Sequence, residues 1–176
     1  MLSDNHFFAL FGVPVSFRID QAQLKNSLLE LQKQHHPDRA TGEAHAITQN
    51  ASLINHAYDT LNRDDSRAAY LLSLNGEDID LDKSISDWDF LGEMMEIRIA
   101  LDDTDDKASL DKMANEVTQT SQALADGFDH AYQAQDWISA RDLAQKLQFV
   151  GKLHDDIIAK ISEILQHHTD DDDLYV

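Results

Sequence analysis

The sequence predicts an all-α protein made of two helical domains. Apolar residues recur at steps of three and four along most of the chain, which is the period of amphipathic helices, and no stretch alternates convincingly like a strand. The 176 residues include six glycines and two prolines, which argues against a turn-rich β fold. The acidic run "GEDIDLDKSISDWD" (76–89) interrupts the helical pattern. We therefore expect one domain over 1–76, a linker over 77–88 and a three-helix bundle over 89–176.

The first domain is predicted to be a helical hairpin completed by two short helices. The apolar stripe of its first arm is formed by Leu24, Leu28, Leu31 and His35. The stripe of its second arm is formed by Ile47, Ala51, Ile54, Tyr58 and Leu61. The block "FFALF" (7–11) indicates a short helix laid across the hairpin, and "SRAAYLLSLNG" (66–76) indicates a last helix that stops at Asn75 and Gly76.

The second domain is predicted to be a bundle of three amphipathic helices. The first helix carries a stripe formed by Phe90, Met94, Ile97 and Leu101. The stripe of the second helix is formed by Leu110, Met113, Val117, Leu124 and Phe128. The long third helix has a stripe formed by Leu143, Leu147, Val150, His154, Ile157, Ile161 and Ile164. The polar segments 102–106 and 133–137 are the expected connections.

Composition and charge argue against several classes of partner. The chain carries 33 acidic and 14 basic residues, a net charge of −19, so binding to nucleic acid or to an anionic membrane surface is not expected. No apolar run approaches the roughly 20 residues of a membrane span. The first residues lack the positive charges of a secretory or transit peptide, so none is expected. The absence of cysteine excludes disulfides and thiolate ligands and fits a reducing cytosol.

The stretch "LQKQHHPDRAT" (31–41) ends the first arm of the hairpin on a distinctive turn. Pro37 has no backbone N–H and disfavours the α conformation in the residue before it, so the helix is expected to stop at His36. His36, Pro37 and Asp38, which we call the HPD turn, therefore lie between the two arms. A turn stiffened by proline loses little entropy on docking, and Asp38 can accept charge-assisted hydrogen bonds from a basic partner.

This turn, followed by "INHAYDTL" (54–61) in the second arm, resembles the J-domain of the DnaJ co-chaperones. The resemblance implies that the HPD turn docks on a heat-shock chaperone and stimulates its ATPase. The segments 7–20 and 66–76, together with the acidic helical bundle, further resemble the HscB family of J-proteins, which is dedicated to iron–sulfur cluster assembly. This second likeness covers nearly the whole chain and implies a cytoplasmic bacterial co-chaperone.

The HscB resemblance implies one partner for each domain. The J-domain would contact a specialised heat-shock ATPase of the HscA type, and the bundle would bind an iron–sulfur scaffold protein of the IscU type. The expected chaperone-binding residues are His36, Pro37, Asp38, Lys25, Lys33 and Arg39. Glu30 lies where many J-domains carry a basic residue, so we expect a narrower positive surface that favours a dedicated chaperone over a general DnaK.

The resemblance also assigns scaffold binding to the first bundle helix. The expected residues, here called the scaffold patch, are Leu91, Met95, Glu96, Ile99, Asp103 and Phe149. Gly92 and Ile99 depart from the family pattern, which has a larger apolar group and an acid at these positions. Leu91, Met95 and Ile99 also form a second apolar row, turned by roughly 100–120° from the first stripe. This row is either an exposed docking surface or a packing face, and Phe149 is either an interface anchor or part of ordinary bundle packing.

Other functions find less support in the sequence. There is no nucleophile–base pair, no phosphate-binding glycine loop and no evident pair of carboxylates, so an enzyme is not expected. The histidine pairs 35–36 and 167–168 point about 100° apart on a helix, and His154 is interpreted as a core residue, so no metal or cofactor is assigned. The remaining alternative is a general J-domain co-chaperone that delivers unfolded clients to a DnaK-type chaperone.

Overall fold

The structure, a computed structural model, describes residues 6–34, 44–79 and 85–172, with side chains described for 6–33, 51–79 and 85–166. Within these ranges the regular secondary structure is entirely α-helical, which confirms the predicted fold class. The helices are α1 (Phe7–Leu10), α2 (Gln21–Gln34), α3 (Ala44–Asn62), α4 (Asp64–Leu74), α5 (Trp88–Asp103), α6 (Lys107–Gln133) and α7 (Trp137–Asp172). The chain divides into two compact units, Met1–Ile79 and Asp80–Val176.

The first unit contains the hairpin formed by α2 and α3, with α1 against α3 and α4 following it. The largest fully buried side chains of this unit are Phe8, Phe17, Leu24, Leu61, Leu71 and Leu72. The predicted stripe of α3 is correct at Ile54 but wrong at Ala51, which is exposed, and Ala57 is buried instead. On α2, Leu24 is fully buried, whereas Leu28 and Leu31 of the same predicted stripe are half-buried.

Arg67, at the start of α4, is a charged residue buried in this core. Its guanidinium donates hydrogen bonds to the backbone carbonyls of Phe17 and Leu61, with Nε 2.7 Å from the Phe17 oxygen, and it pairs with the Asp64 carboxylate. The guanidinium also lies 5.0 Å from the centroid of the Phe17 ring. Burial lowers the pKa of Arg67, while the Asp64 carboxylate opposes that shift. Arg67 thereby fastens the loop before α2 to the junction of α3 and α4.

The second unit is a bundle of α5, α6 and α7. Phe128 and Leu147 are fully buried in it. One cluster of its core consists of Phe90, Met94, Leu101, Leu110, Val117, Val150, Leu153 and Ile157. The bundle begins before the predicted residue 89, because Ile85 packs against this core and Asp87 caps α5. The interpretation of His154 as a core residue is wrong: His154 is half-buried, and its neighbour Leu153 is fully buried. Since α7 packs against both α5 and α6, its buried face is wider than one stripe and takes in Leu153.

Candidate functional site

The HPD turn and Arg39 lie outside the residues that the structure describes. The described part of α2 presents the two predicted lysines, Lys25 and Lys33, and both side chains are exposed. The Nζ of Lys33 lies 2.8 Å from a carboxylate oxygen of Glu30, about one helical turn away. Glu30 therefore neutralises part of the positive charge that α2 presents near the end of the hairpin.

Four members of the scaffold patch are exposed on α5. Met95 and Ile99 have 51% and 58% of their surfaces accessible to solvent. Glu96 and Asp103 are exposed beside them. Large apolar side chains on an exposed helix face, bordered by carboxylates, have the composition of a surface for protein contact.

The other two members, Leu91 and Phe149, are half-buried and pack against the core of the bundle. The Phe149 ring on α7 meets the Phe90 ring edge-on, with 6.0 Å between the centroids. The two interpretations left open by the sequence therefore apply to different residues. Leu91 and Phe149 contribute to packing within the bundle, whereas Met95 and Ile99 face solvent.

Trp88, the first residue of α5, extends this exposed face and was missed by sequence reasoning. Its side chain is 81% exposed, more than any other large apolar side chain in the described part of the chain. Successive residues of a helix turn by about 100°, so Trp88, Gly92, Met95 and Ile99 lie within about 60° of one another, roughly opposite the buried Phe90. We call these four residues the outer row. Their steps of four, three and four were the available signal, but the predicted linker ended at residue 88 and hid it.

Polar contacts at three levels hold α5 against α7. They join Lys146 Nζ to Asp87 at 2.8 Å, Arg98 to Asp156 at 2.7 Å, and Lys160 Nζ to the Leu101 carbonyl at 2.7 Å. The partners follow the same order along both helices, so α5 and α7 run parallel. This series of contacts sets which face of α5 points outward.

Asp87 fixes the first turn of α5 from two directions. The Asp87 carboxylate accepts a hydrogen bond from the backbone N–H of Phe90 at 3.1 Å. The same carboxylate pairs with the ammonium group of the buried Lys146. The Lys146 Nζ also lies 2.9 Å from a carboxylate oxygen of Asp142. The hydrogen bonds from Lys146 and from the Phe90 amide lower the pKa of Asp87 below its ordinary value of 3.8. Burial acts to lower the pKa of Lys146, but hydrogen bonds to Asp87 and Asp142 outweigh it, so that pKa is raised above 10.5.

These shifts predict how the stability of the bundle depends on pH. A lowered pKa in the folded state means that the contribution of Asp87 is present at neutral pH and is lost as pH falls below about 4. A raised pKa means that the contribution of Lys146 is present below pH 10.5 and is lost above it. We expect Lys146→Met to have a lower free energy of unfolding than the unmodified protein at pH 7, and we expect this difference to shrink toward pH 3. Urea unfolding followed by tryptophan fluorescence measures the free energy at each pH.

Lys112→Met is the matched control for this experiment. Lys112 pairs with Glu116 at 3.6 Å on the exposed face of α6, where ion pairs contribute little. Its substitution should leave both the stability and its pH dependence nearly unchanged. A deficit in Lys146→Met that stays the same from pH 7 to pH 3 would contradict the role given to the Asp87–Lys146 pair.

The described residues contain neither a candidate metal site nor a candidate membrane span. Among them, no group of three or more His, Cys, Asp or Glu side chains is arranged to hold a metal ion. None of the helices within the described ranges has the length and apolar character needed to cross a membrane.

Two family models match the chain, one for each unit. The model of the DnaJ domain matches residues 6–70, which include the hairpin and the HPD sequence. The model described as the HSCB C-terminal oligomerisation domain matches residues 86–158, which include most of the bundle. The match to both models places the chain in the class of J-domain co-chaperones.

Individual relatives show which family of J-domain co-chaperones the chain resembles. A co-chaperone protein HscB homolog from Acinetobacter baumannii is 41% identical over 171 residues, 97% of this chain and 96% of the relative. One from Acinetobacter baylyi is 42% identical over 167 residues, 95% of this chain and 96% of the relative. The solved structure of chaperone HscB from Vibrio cholerae has a TM-score of 0.73 at 32% identity and covers 90% of this chain and 99% of that one. The structure of human co-chaperone protein HscB also has a TM-score of 0.73, at 27% identity, and covers 89% of this chain and 82% of that one. The chain belongs to the HscB family of co-chaperones, which confirms the resemblance seen in its sequence.

Proposed function

We propose that this protein joins a specialised heat-shock ATPase to the scaffold protein on which iron–sulfur clusters are assembled. The J-domain stimulates an HscA-type ATPase through the HPD turn, with Lys25, Lys33 and Arg39 contributing to the contact. The bundle binds an IscU-type scaffold through α5. Stimulated ATP hydrolysis then promotes cluster transfer and protein maturation in the bacterial cytoplasm.

The observation that carries this proposal is the exposed apolar face of α5. Met95 and Ile99 project away from the core of their own bundle, so packing within that unit does not account for them. They belong to a different unit from the hairpin that carries the HPD turn. Two surfaces on two units suit an adaptor that holds two proteins at once.

The charges beside the two surfaces support specific partners. Glu96 and Asp103 add negative charge next to the apolar face of α5, which favours a scaffold that presents basic groups around an apolar contact. On α2, the ion pair between Lys33 and Glu30 reduces the positive charge available to a chaperone. A weaker general attraction favours recognition of one dedicated chaperone.

Binding and ATPase assays with purified partners test the proposal. We expect the protein to bind folded IscU-type scaffold and to ignore a denatured model client in calorimetric titrations. We also expect it to stimulate an HscA-type ATPase more than a DnaK-type ATPase, with further stimulation when scaffold is present. Binding of the denatured client together with equal stimulation of DnaK would instead assign the protein to the general J-domain co-chaperones.

The exposed part of the scaffold patch should carry much of the binding free energy. We expect Met95→Ala combined with Ile99→Ala to weaken scaffold binding by about 2 kcal/mol, because apolar interface anchors contribute on this scale. Both side chains are largely solvent-exposed, so the thermal unfolding curve should stay nearly the same. Isothermal titration with the scaffold and circular dichroism measure the two quantities.

Two other sets of variants serve as comparisons for the Met95 and Ile99 double variant. Truncating Leu91 and Phe149 would also disturb the core against which they pack, so the exposed pair gives a cleaner measurement. Ile138→Ala, at a residue that is 77% exposed near the start of α7, removes a similar exposed apolar group outside α5 and should leave affinity unchanged. Unchanged affinity in the Met95 and Ile99 double variant would contradict binding through this face.

A further inference from the structure

We propose that Trp88 and Gly92 form an anchor and an adjacent recess on α5, and that the scaffold protein fills this recess with an apolar side chain. This inference rests on the proposed function, because it extends the same docking face beyond the predicted scaffold patch. It adds two residues that the patch does not contain. The partner surface would need a projecting apolar side chain that fits beside Gly92.

Trp88 has the properties of an interface anchor. Its indole is 81% exposed at the start of α5, although tryptophan is among the largest apolar side chains. The position is fixed, because the preceding Asp87 caps the helix and is held by Lys146. A large aromatic group on a rigid element loses little entropy on binding and buries a large area, which is why tryptophan is enriched at interface hot spots.

The second tryptophan, Trp137, provides an internal comparison. Its ring packs edge-on against Tyr132, with 5.8 Å between the centroids, and it is half-buried. The packing of Trp137 is therefore explained within the bundle, whereas Trp88 remains exposed in the unit to which it belongs. The difference points to a partner for Trp88 outside that unit.

Gly92 leaves a gap in the outer row between Trp88 and Met95. A Cβ atom built at Gly92 would meet no described atom within 4 Å, so close packing in the described part of the chain does not require glycine here. Glycine within a helix is less favourable than alanine, yet Gly92 lies in the second turn of α5. A helix backbone without a Cβ allows a partner atom to approach closely. We infer that the missing Cβ leaves a shallow recess in the row, with Trp88 about one turn before it and Met95 about one turn after it, neither of which reaches within 4 Å of the Cβ position.

The chemistry around the recess describes what occupies it. Trp88 and Met95 border the recess along the row, so the inserted group is an apolar side chain. The exposed Asp89 and Glu96, three residues before and four residues after Gly92, place carboxylates at its side. Glu96 lies on the flank of the row and Asp103 lies near its end, so basic groups of the scaffold would border the insertion. The row spans about 16 Å from Trp88 to Ile99, since a helix rises 1.5 Å per residue. This length suits one exposed ridge of a folded partner.

Trp88→Ala tests the anchor. We expect the variant to bind folded IscU-type scaffold at least about tenfold more weakly in isothermal titration, with the circular dichroism spectrum unchanged. The matched control is Ile138→Ala, whose side chain is 77% exposed and lies outside the outer row. In a Trp137→Phe background, the fluorescence of Trp88 should shift to shorter wavelength when scaffold binds. Unchanged affinity together with an unshifted emission would overturn the anchor.

Gly92→Ala tests the recess through two opposite changes. The added methyl group meets no described atom, so thermal stability should rise because alanine favours the helix. The same methyl group would occupy the recess, so scaffold affinity should fall at least about threefold. Higher stability with unchanged or tighter binding would overturn the recess.

The outcome for the unmodified protein separates this inference from the proposed function. If the unmodified protein binds the scaffold while Trp88→Ala and Gly92→Ala bind equally well, the proposed function stands and this inference fails. If the unmodified protein itself does not bind the scaffold, the proposed function fails.

Discussion

Replacing His36 with glutamine is expected to abolish stimulation of the partner ATPase and to leave scaffold binding unchanged. The His36 ring is predicted to lie on the stiff HPD turn, where its nitrogens can donate or accept hydrogen bonds in the chaperone contact. Glutamine keeps the polarity but lacks the ring. Scaffold binding should persist because the outer row belongs to the other unit. Single-turnover ATP hydrolysis by an HscA-type chaperone and calorimetric titration with scaffold measure the two activities.

The neighbouring histidine supplies the control for this prediction. His35→Gln makes the same chemical change one residue earlier, at the predicted end of the first arm, and should retain most of the stimulation. Equal loss of ATPase stimulation in both variants would mean that His36 is no more important for stimulation than His35. Loss of both ATPase stimulation and scaffold binding in His36→Gln would contradict the assignment of the two activities to separate units.

Replacing Arg67 with alanine is expected to lower the free energy of unfolding of the first unit by about 3 kcal/mol. The substitution removes the hydrogen bonds from the guanidinium to the backbone carbonyls of Phe17 and Leu61, and hydrogen bonds that involve a charged group contribute about 1.5–3 kcal/mol. The contact of the guanidinium with the face of the Phe17 ring, 5.0 Å from its centroid, is lost as well. Hydrogen exchange of the backbone amides of α3 and α4, measured by mass spectrometry in the full-length chain, should accelerate accordingly.

Arg18 provides a matched control for Arg67. Its guanidinium lies 5.2 Å from the centroid of the same Phe17 ring, but its side chain is exposed. Arg18→Ala should therefore cost less than about 1 kcal/mol. The amides of α6 and α7 should exchange at the same rate in both variants, because the bundle has its own core. Similar costs for the two arginine variants would contradict the role of Arg67 as a buried fastening.

Several elements could be predicted from the sequence because their causes are local. The end of α4 follows from Asn75 and Gly76, and Gly76 adopts a φ of 73°, in the left-handed region that glycine tolerates. The two helices of the hairpin follow from apolar residues that recur with the helical period on both sides of the HPD sequence. In each case the required information lies within a few neighbouring residues, so tertiary contacts are not needed to read it.

The sequence predicted which residues of the candidate site share a face of α5, but it did not predict which of them are exposed. Periodicity placed Leu91, Met95 and Ile99 on one row, yet Leu91 packs against the core while the other two face solvent. A period identifies which residues share a face of a helix, but burial depends on what lies against that face. Trp88 was missed because helix periodicity was not extended into a segment whose charge indicated a linker.

By itself, the sequence determined the all-α class and the family, since these depend on local backbone preferences, helical periodicity and matching residues. Tertiary structure alone decided that Leu153, and not His154, enters the core and that Arg67 joins three segments. It also decided that α5 points Trp88, Met95 and Ile99 outward. These outcomes depend on contacts between residues far apart in the chain, such as Lys146 with Asp87, which no local pattern contains.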